Sequence, residues 1–214
     1  MPEPRIIVFV KAPRPGFVKT RLAAAIGNEA ACDAYCQLTE TVLAHLAPLP
    51  HLEIRFTPDD AKNEITQWLC GDWSARPQGN GDLGERMHRA FTEANCPTII
   101  IGSDCPEVEL RDLQAAAKAL KSDDAVIGPA TDGGYWLIGL NAPCPALFKN
   151  IKWSTSDVLP KTLEKASAAG LSVQLLRELA DVDTGEDWER WEYIGGGEGR
   201  SRVSCCPMLA CYHK

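Results

Sequence analysis

Six short apolar runs punctuate the chain: RIIVFV (5–10), LEIRF (52–56), TIII (98–101), DAVIG (124–128), YWLIGL (135–140) and LSVQLL (171–176). Stretches with helical spacing lie between them, and that alternation indicates an α/β fold. Ala31, Tyr35, Leu38, Val42 and Leu46 repeat at helical intervals after a possible Asn28 cap, as do Leu110, Leu113, Ala117 and Leu120. These stripes read as core. A third helix is expected from Ser154 or Thr155, with Leu159, Leu163 and Ala166 inward and Gly170 as its stop. A last helix is expected from Thr184, with Glu186 and Asp187 in its first turn and Trp188 and Trp191 on one face.

At 214 residues and 45% hydrophobic, the chain suits one domain with a sizeable core. That domain is placed at residues 1–194, and residues 195–214 read as a Gly/Cys-rich tail. The tail holds Cys205, Cys206, Cys211 and His213, whose adjacent cysteine pair departs from the two-residue gap of zinc sites. A net charge of −7 argues against broad nucleic-acid binding, so any phosphate site must be a local concentration of cations. The N-terminal apolar run is too short for a signal peptide or a membrane span. Nine cysteines, odd in number and irregular in spacing, suit reduced thiols, and a cytoplasmic protein is expected.

In open α/β sheets ligands bind beyond the carboxyl ends of strands. After the first strand, KAPRPGFVKTRL (11–22) places Lys11, Arg14, Lys19 and Arg21 in one proline-restricted loop, a natural partner for phosphate. It is not a P-loop, because Val18 stands where glycine is required. After TIII, the stretch IGSDCPE (101–107) puts Asp104 at a strand end, where a carboxylate can hold Mg²⁺ or Mn²⁺ against phosphates. After LSVQLL, Asp181 and Asp183 precede the last helix and can supply a second metal ligand. In GPATDGGYWLIGL (128–140), Asp132, Gly133 and Gly134 before Tyr135 read either as a turn or as a place where backbone approaches a ligand. If all hang from one edge of one sheet, cations for a diphosphate and carboxylates for a divalent ion describe metal-assisted transfer from a nucleotide.

FVKAPRPGFVKTRLA, QGNGDLGERM, IGSDCPEVELRDL, GPATDGGYWLIGL, IKWSTSDVL and DVDTGEDW occur in this order over roughly residues 5 to 193. Together they resemble the bacterial glycosyltransferase-like family of the nucleotide-diphospho-sugar transferase fold, related to 2-phospholactate guanylyltransferases. Some relatives are linked to arsenosugar biosynthesis. The resemblance implies three α/β/α layers around a mixed, mostly parallel sheet, with a nucleotide donor in the N-terminal half and a small-molecule acceptor in the C-terminal half. It implies a divalent metal at Asp104 and Asp183 and phosphate contacts from Lys11, Arg14, Lys19 and Arg21. Gln78, Gly81, Asp82 and Arg86 would border base and ribose. Asp132, Gly133, Gly134, Tyr135, Trp153, Ser154 and Thr155 would line the acceptor side. Lys19 and Asp132 are the candidate catalytic residues, Asp132 as base for an acceptor hydroxyl. A homo-oligomer is compatible with such a fold.

Two departures bear on chemistry. Ser103, Asp104 and Cys105 carry one acid where glycosyltransferases of this fold have Asp-x-Asp, and Ala12 and Pro13 replace the glycine pair of the nucleotidyltransferase loop. The expected activity is glycosyl transfer from a nucleotide-diphospho-sugar. Its alternative is nucleotidyl transfer to a small phosphorylated acid or sugar phosphate with release of pyrophosphate. Two rivals remain. GNGDLG (79–84) matches the dinucleotide-binding spacing of an NAD-dependent oxidoreductase, although WSARPQ (73–78) before it makes a poor strand. The other is a nucleotide-binding module without turnover.

Overall fold

The computed structural model describes residues 3–195. Cys205, Cys206, Cys211 and His213, with the tail reading attached to them, lie outside the described residues. Seven strands form one sheet: β1 (Arg5–Lys11), β2 (Glu53–Thr57), β3 (Ser74–Pro77), β4 (Thr98–Ile101), β5 (Ala125–Pro129), β6 (Tyr135–Leu140) and β7 (Val173–Leu175). The helices are α1 (Thr20–Ile26), α2 (Asn28–Leu46), α3 (Lys62–Ile65), α4 (Leu83–Ala94), α5 (Leu110–Ala119), α6 (Val158–Ala168) and α7 (Gly185–Gly195). The strand order is β3-β2-β1-β4-β6-β5-β7, and β6 alone runs antiparallel to its neighbours. The fold is therefore three-layer α/β/α with a mixed, mostly parallel sheet.

The apolar runs inside the sheet become strands because both faces are covered, whereas β7, at the edge, leaves Gln174 and Leu175 exposed. In β1, Val8 and Val10 face one core layer while Ile7 and Phe9 face the other. In β4, Ile99, Ile100 and Ile101 are buried, and burying each such side chain contributes about 1.5–3 kcal/mol. Tyr35, Val42 and Leu46 of α2 join the first layer, and Met87, Ala90 and Phe91 of α4 join the second. A third cluster sets Leu22 of α1 and Ala31, Ala34 and Leu38 of α2 against Val182 and Trp188. Among the described residues no helix is long and apolar enough to cross a membrane.

Three local expectations are corrected. Arg21 belongs to α1 rather than to a loop, because the basic segment turns helical at Thr20. α6 begins at Val158, after a turn in which Ser154 takes a left-handed φ of 60°. Residues 74–77 do form a strand: β3 lies on the sheet edge and pairs only with β2, and Pro77 is tolerated because the bonds to β2 come from the N–H groups of alternate residues, Ser74 and Gln78 among them.

α5 is anchored electrostatically. Asp112 accepts from the Glu109 backbone N–H at 2.8 Å, closing a capping box, and its other contact is a two-bond fork from Arg177 at 2.7 and 2.8 Å. Burial alone would raise the Asp112 pKa, but the Arg177 and Glu109 hydrogen bonds outweigh it and the net shift is downward. A carboxyl depressed by folding contributes stability above its unfolded pKa of about 4 and loses it as pH falls through the folded value. Asp112→Asn should cost about 1–3 kcal/mol at neutral pH. In urea denaturation of both proteins, that gap should close as pH falls below the ordinary carboxylate range; a gap unchanged with pH would refute the ion-pair account.

Candidate functional site

Four connections meet at the carboxyl edge of the sheet. The β1–α1 segment ends at Lys19, which sits at the head of α1 in a left-handed conformation with φ 47° and ψ 45°. A non-glycine residue is held there only when its surroundings demand it. Its side chain is 3% exposed and its ammonium forms ion pairs with Asp104 and, at 2.9 Å, with Asp183. Asp104 follows β4 and Asp183 precedes α7. Their meeting is built into the backbone, because the Val182 N–H donates to the Asp104 carbonyl at 3.1 Å. Upstream of it, Leu179 bridges Ala130 beside the end of β5. α7 is capped at Thr184, whose N–H donates to the Asp187 carboxylate at 2.9 Å. Trp188 then packs α7 against the cluster containing Leu22 of α1.

The carboxylates form a larger group than Asp104 and Asp183. Asp181 accepts from the buried Cys105 thiol at 2.6 Å. Its pKa is pushed up to about 6, first by burial, while the thiol hydrogen bond opposes the rise and the charges of Asp132, Asp104 and Asp183 add to it. Burial likewise pushes the Cys105 thiol up. For Lys19, burial pulls the pKa down, yet Asp104 and Asp183 overcome it and hold the ammonium charged. Beneath the site, the Tyr35 hydroxyl receives the Lys11 N–H at 2.7 Å and donates to the Lys11 carbonyl at 3.1 Å. It also lies 3.4 Å from Ser103 Oγ, tying the end of β1 to the loop after β4. Burial, then the charge of Asp104, pushes its pKa up to about 12. Sequence reasoning placed Tyr35 in the core and offered Asp181 only beside Asp183 as a possible second metal ligand; the backbone contact between Val182, before α7, and Asp104, after β4, brings Asp181 to Cys105.

Several predicted contacts are placed elsewhere. Arg14 is engaged by α3 and the turn before it, pairing with Glu64 at 2.6 Å and Asp60 at 3.1 Å, so it is not an unpartnered phosphate cation. Arg21 is exposed and reaches Asp183 only at 3.8 Å. Gln78 is buried and spends its amide on the Val10 and Arg55 carbonyls. Asp82 caps α4 in a reciprocal box with Glu85, following the left-handed Gly81. Tyr135 points into the second core layer, with its hydroxyl toward Met87 sulfur. Trp153 packs on Gly84 rather than facing a cleft. Thr155 donates to the Lys152 carbonyl within the turn that Ser154 opens. Arg86, in contrast, is held by neutral groups alone, the Gly81 carbonyl, Thr57 Oγ1 and Gln78 Oε1. Lys11, at the end of β1, is exposed and has no ion pair among the described residues.

The glycine question in residues 128–140 is answered from within the chain. Asp132 is exposed and its Oδ1 accepts the Gly134 N–H at 2.8 Å, an Asx-type turn. Gly133 has φ 88°, and a Cβ there would lie 2.5 Å from Ser156 Cα and closer still to its carbonyl oxygen. The close approach is therefore by the backbone leading into α6, not by a ligand, and Leu159 N–H donates back to the Gly133 carbonyl at 2.9 Å. The same reasoning disposes of the dinucleotide reading. A strand does precede GNGDLG, but the Asp82 and Glu85 carboxylates occupy the head of α4, where a pyrophosphate would bind. The Arg89 guanidinium fills the space over Gly79.

Among the described residues, no group of three or more His, Cys, Asp or Glu side chains is arranged to hold a metal ion. Asp104 and Asp183 nonetheless converge on one cation, Lys19. Their chemistry fits a hard divalent ion bound by two carboxylates and completed by substrate oxygens.

This fold and this site define an enzyme of the nucleotide-diphospho-sugar transferase fold. The chain belongs to the family DUF2064, described as an uncharacterized protein conserved in bacteria, whose pattern it matches over residues 41–155. It is similar to a crystal structure of a candidate nucleotide-diphospho-sugar transferase from Desulfovibrio desulfuricans G20, with 37% identity, 94% of this chain and 92% of that chain covered, and a TM-score of 0.84. A CMP:2-keto-3-deoxy-manno-octonic acid synthetase complexed with CTP aligns at 10% identity over 91% of this chain and 99% of that one, with a TM-score of 0.57. A Mycobacterium tuberculosis H37Rv protein in complex with manganese aligns at 13% identity over 88% and 97%, with a TM-score of 0.50. The last two likenesses are of fold. No curated protein matches the chain.

Replacing Gly133 by alanine tests the internal-contact reading. Strain at positive φ and the overlap with Ser156 should together cost about 2 kcal/mol or more, read as a lower midpoint in urea. Unchanged stability would return this glycine to the ligand.

Proposed function

We propose that the protein is a metal-dependent transferase that takes a nucleotide-diphospho-sugar as donor and passes the glycosyl group to a small-molecule acceptor. The observation that carries this reading is the convergence of Lys19, Asp104 and Asp183 at the carboxyl edge of the sheet. The 37% identity to the Desulfovibrio protein supports the donor class. Asp104 and Asp183 would hold Mg²⁺ or Mn²⁺, which when bound supplies charge neutralisation for a leaving diphosphate. Lys11 and Arg86, which have no carboxylate partners among the described residues, are assigned to the donor phosphates, with Arg21 at the rim. Lys19 joins them when substrate is present. Gln78, Gly81 and Asp82 shape the wall that Arg86 stands on rather than contacting the base themselves.

In the transfer, the bond from the anomeric carbon to the phosphate oxygen breaks and its electron pair leaves with the nucleoside diphosphate. A bond from the acceptor oxygen to that carbon forms. Asp132, exposed beside the acidic cluster, takes the acceptor's proton, its carboxylate oriented by the Gly134 N–H bound to Oδ1.

Nucleotidyl transfer is the second reading. Two observations favour it: the single acid in Ser103-Asp104-Cys105, and a fold shared with a synthetase crystallised with CTP. The products separate the two, since glycosyl transfer leaves a nucleoside diphosphate and nucleotidyl transfer leaves pyrophosphate.

Thermal unfolding in Mn²⁺ with sugar nucleotides, nucleoside triphosphates or NADH tests the donor class. A ligand at a hundred times its Kd stabilises by about 2.7 kcal/mol. A metal-dependent rise with sugar nucleotides, abolished in Asp104→Asn, is expected. Stabilisation by triphosphates alone would move the assignment to nucleotidyl transfer, and by NADH alone would overturn both.

A further inference from the structure

The Lys19 ammonium lies where a cation between Asp104 and Asp183 belongs. Its side chain is 3% exposed, whereas those of Asp104 and Asp183 are 49% and 38% exposed. The acids are thus partly open to solvent while the lysine is shut away from it beneath them. The lysine is no chance surface contact, because its backbone is held at φ 47° at the head of α1, with the Ala23 N–H donating to the Lys19 carbonyl at 2.7 Å. Asp181 and Asp132 add further negative charge to the same edge, and Arg21 approaches only to 3.8 Å. Lys19 is therefore the one buried cation among the described residues that neutralises this cluster.

We infer that Lys19 is a resident counter-cation that competes with the divalent ion for Asp104 and Asp183, so that the metal binds well only when donor phosphates draw the ammonium away. This rests on the metal-dependent reading above and adds an order to it: metal and nucleotide enter as a coupled pair. The coupling is electrostatic. With the ammonium in place, an incoming dication meets a like charge within a few ångströms and two carboxylates already engaged. When phosphate oxygens accept the ammonium, both carboxylates are released together. The arrangement guards the site against metal binding without substrate. It also spares the fold an uncompensated pair of acids while the site is empty of substrate.

The test is Mn²⁺ binding without nucleotide, followed by calorimetry and by the electron-paramagnetic signal of free Mn²⁺. A charge a few ångströms away changes such equilibria by one to three powers of ten, so Lys19→Gln should bind Mn²⁺ at least about tenfold more tightly than the wild type. Without metal the variant should melt lower than the wild type, and Mn²⁺ should restore it more strongly. Equal or weaker Mn²⁺ binding by Lys19→Gln overturns the inference while leaving the metal site standing. If neither protein binds Mn²⁺, with or without a sugar nucleotide, the metal-dependent reading fails and the inference falls with it. A second measurement needs no variant: acylation of lysines in the wild type, read by mass spectrometry. Lys19 should be protected in the apo protein and labelled once Mn²⁺ saturates the site; protection that persists in the Mn²⁺-bound protein overturns the inference.

Discussion

An ammonium ion buried between two carboxylates holds the working edge of this protein together. Lys19 and Asp183 lie 164 residues apart in sequence, and Asp104 sits between them. Each arrives from a different strand. Ion pairs taken out of water gain little net stability unless their geometry is prepared. Here the preparation is backbone. The Val182-to-Asp104 hydrogen bond sets the two acids side by side, and packing of Trp188 and Leu22 in one cluster fixes α7 against α1, whose first residue follows Lys19. Removing one partner would leave the remaining charges facing one another.

The reversal of β6 decides what surrounds that pair. Because β5 and β6 form a hairpin between β4 and β7, the turn at 130–134 falls at the same edge as the loop after β4, bringing Asp132 close enough to be felt by Asp181. A wholly parallel sheet would send the chain back along a helix at this point and place no turn there. The antiparallel insertion thus supplies the fourth acid, and Gly133 permits it by letting the backbone before α6 lie across the turn.

The apolar runs of the inner strands were readable because burial on both faces leaves little choice of residue, and the helix from Asn28 to Leu46 was readable from its buried stripe. β3 was not, since an edge strand of Ser74, Ala75, Arg76 and Pro77 carries no continuous apolar signal. α1 was hidden because it is only seven residues long and buries Leu22 alone, and the basic residues around its start suggested a loop. At the site, the acids after β4 and β7 were legible from their position at strand ends, a rule of topology. What each cation does was not. Arg14 and Lys19 look alike in KAPRPGFVKTRL, yet one pairs with α3 and its flank and the other is buried between acids. Side-chain partners depend on segments distant in sequence, which local composition does not encode.

Charge accounting then narrows where a diphosphate can sit. Arg14, Arg55, Arg76 and Arg177 are each matched by carboxylates, as is Lys19 in the absence of substrate. Among the described residues, Lys11 at the end of β1 and Arg86 in the first turn of α4, which reaches Thr57 at the end of β2, have no such match. An anion gains most from cations whose charge is not already neutralised, so the electrostatic attraction for phosphate rises from Arg14 toward Arg86 and Lys11 rather than across the whole basic segment. A donor held there would extend toward Lys19 and the acids beyond it. On the proposed reading, phosphates, counter-cation and carboxylates would then share the carboxyl edge of the sheet.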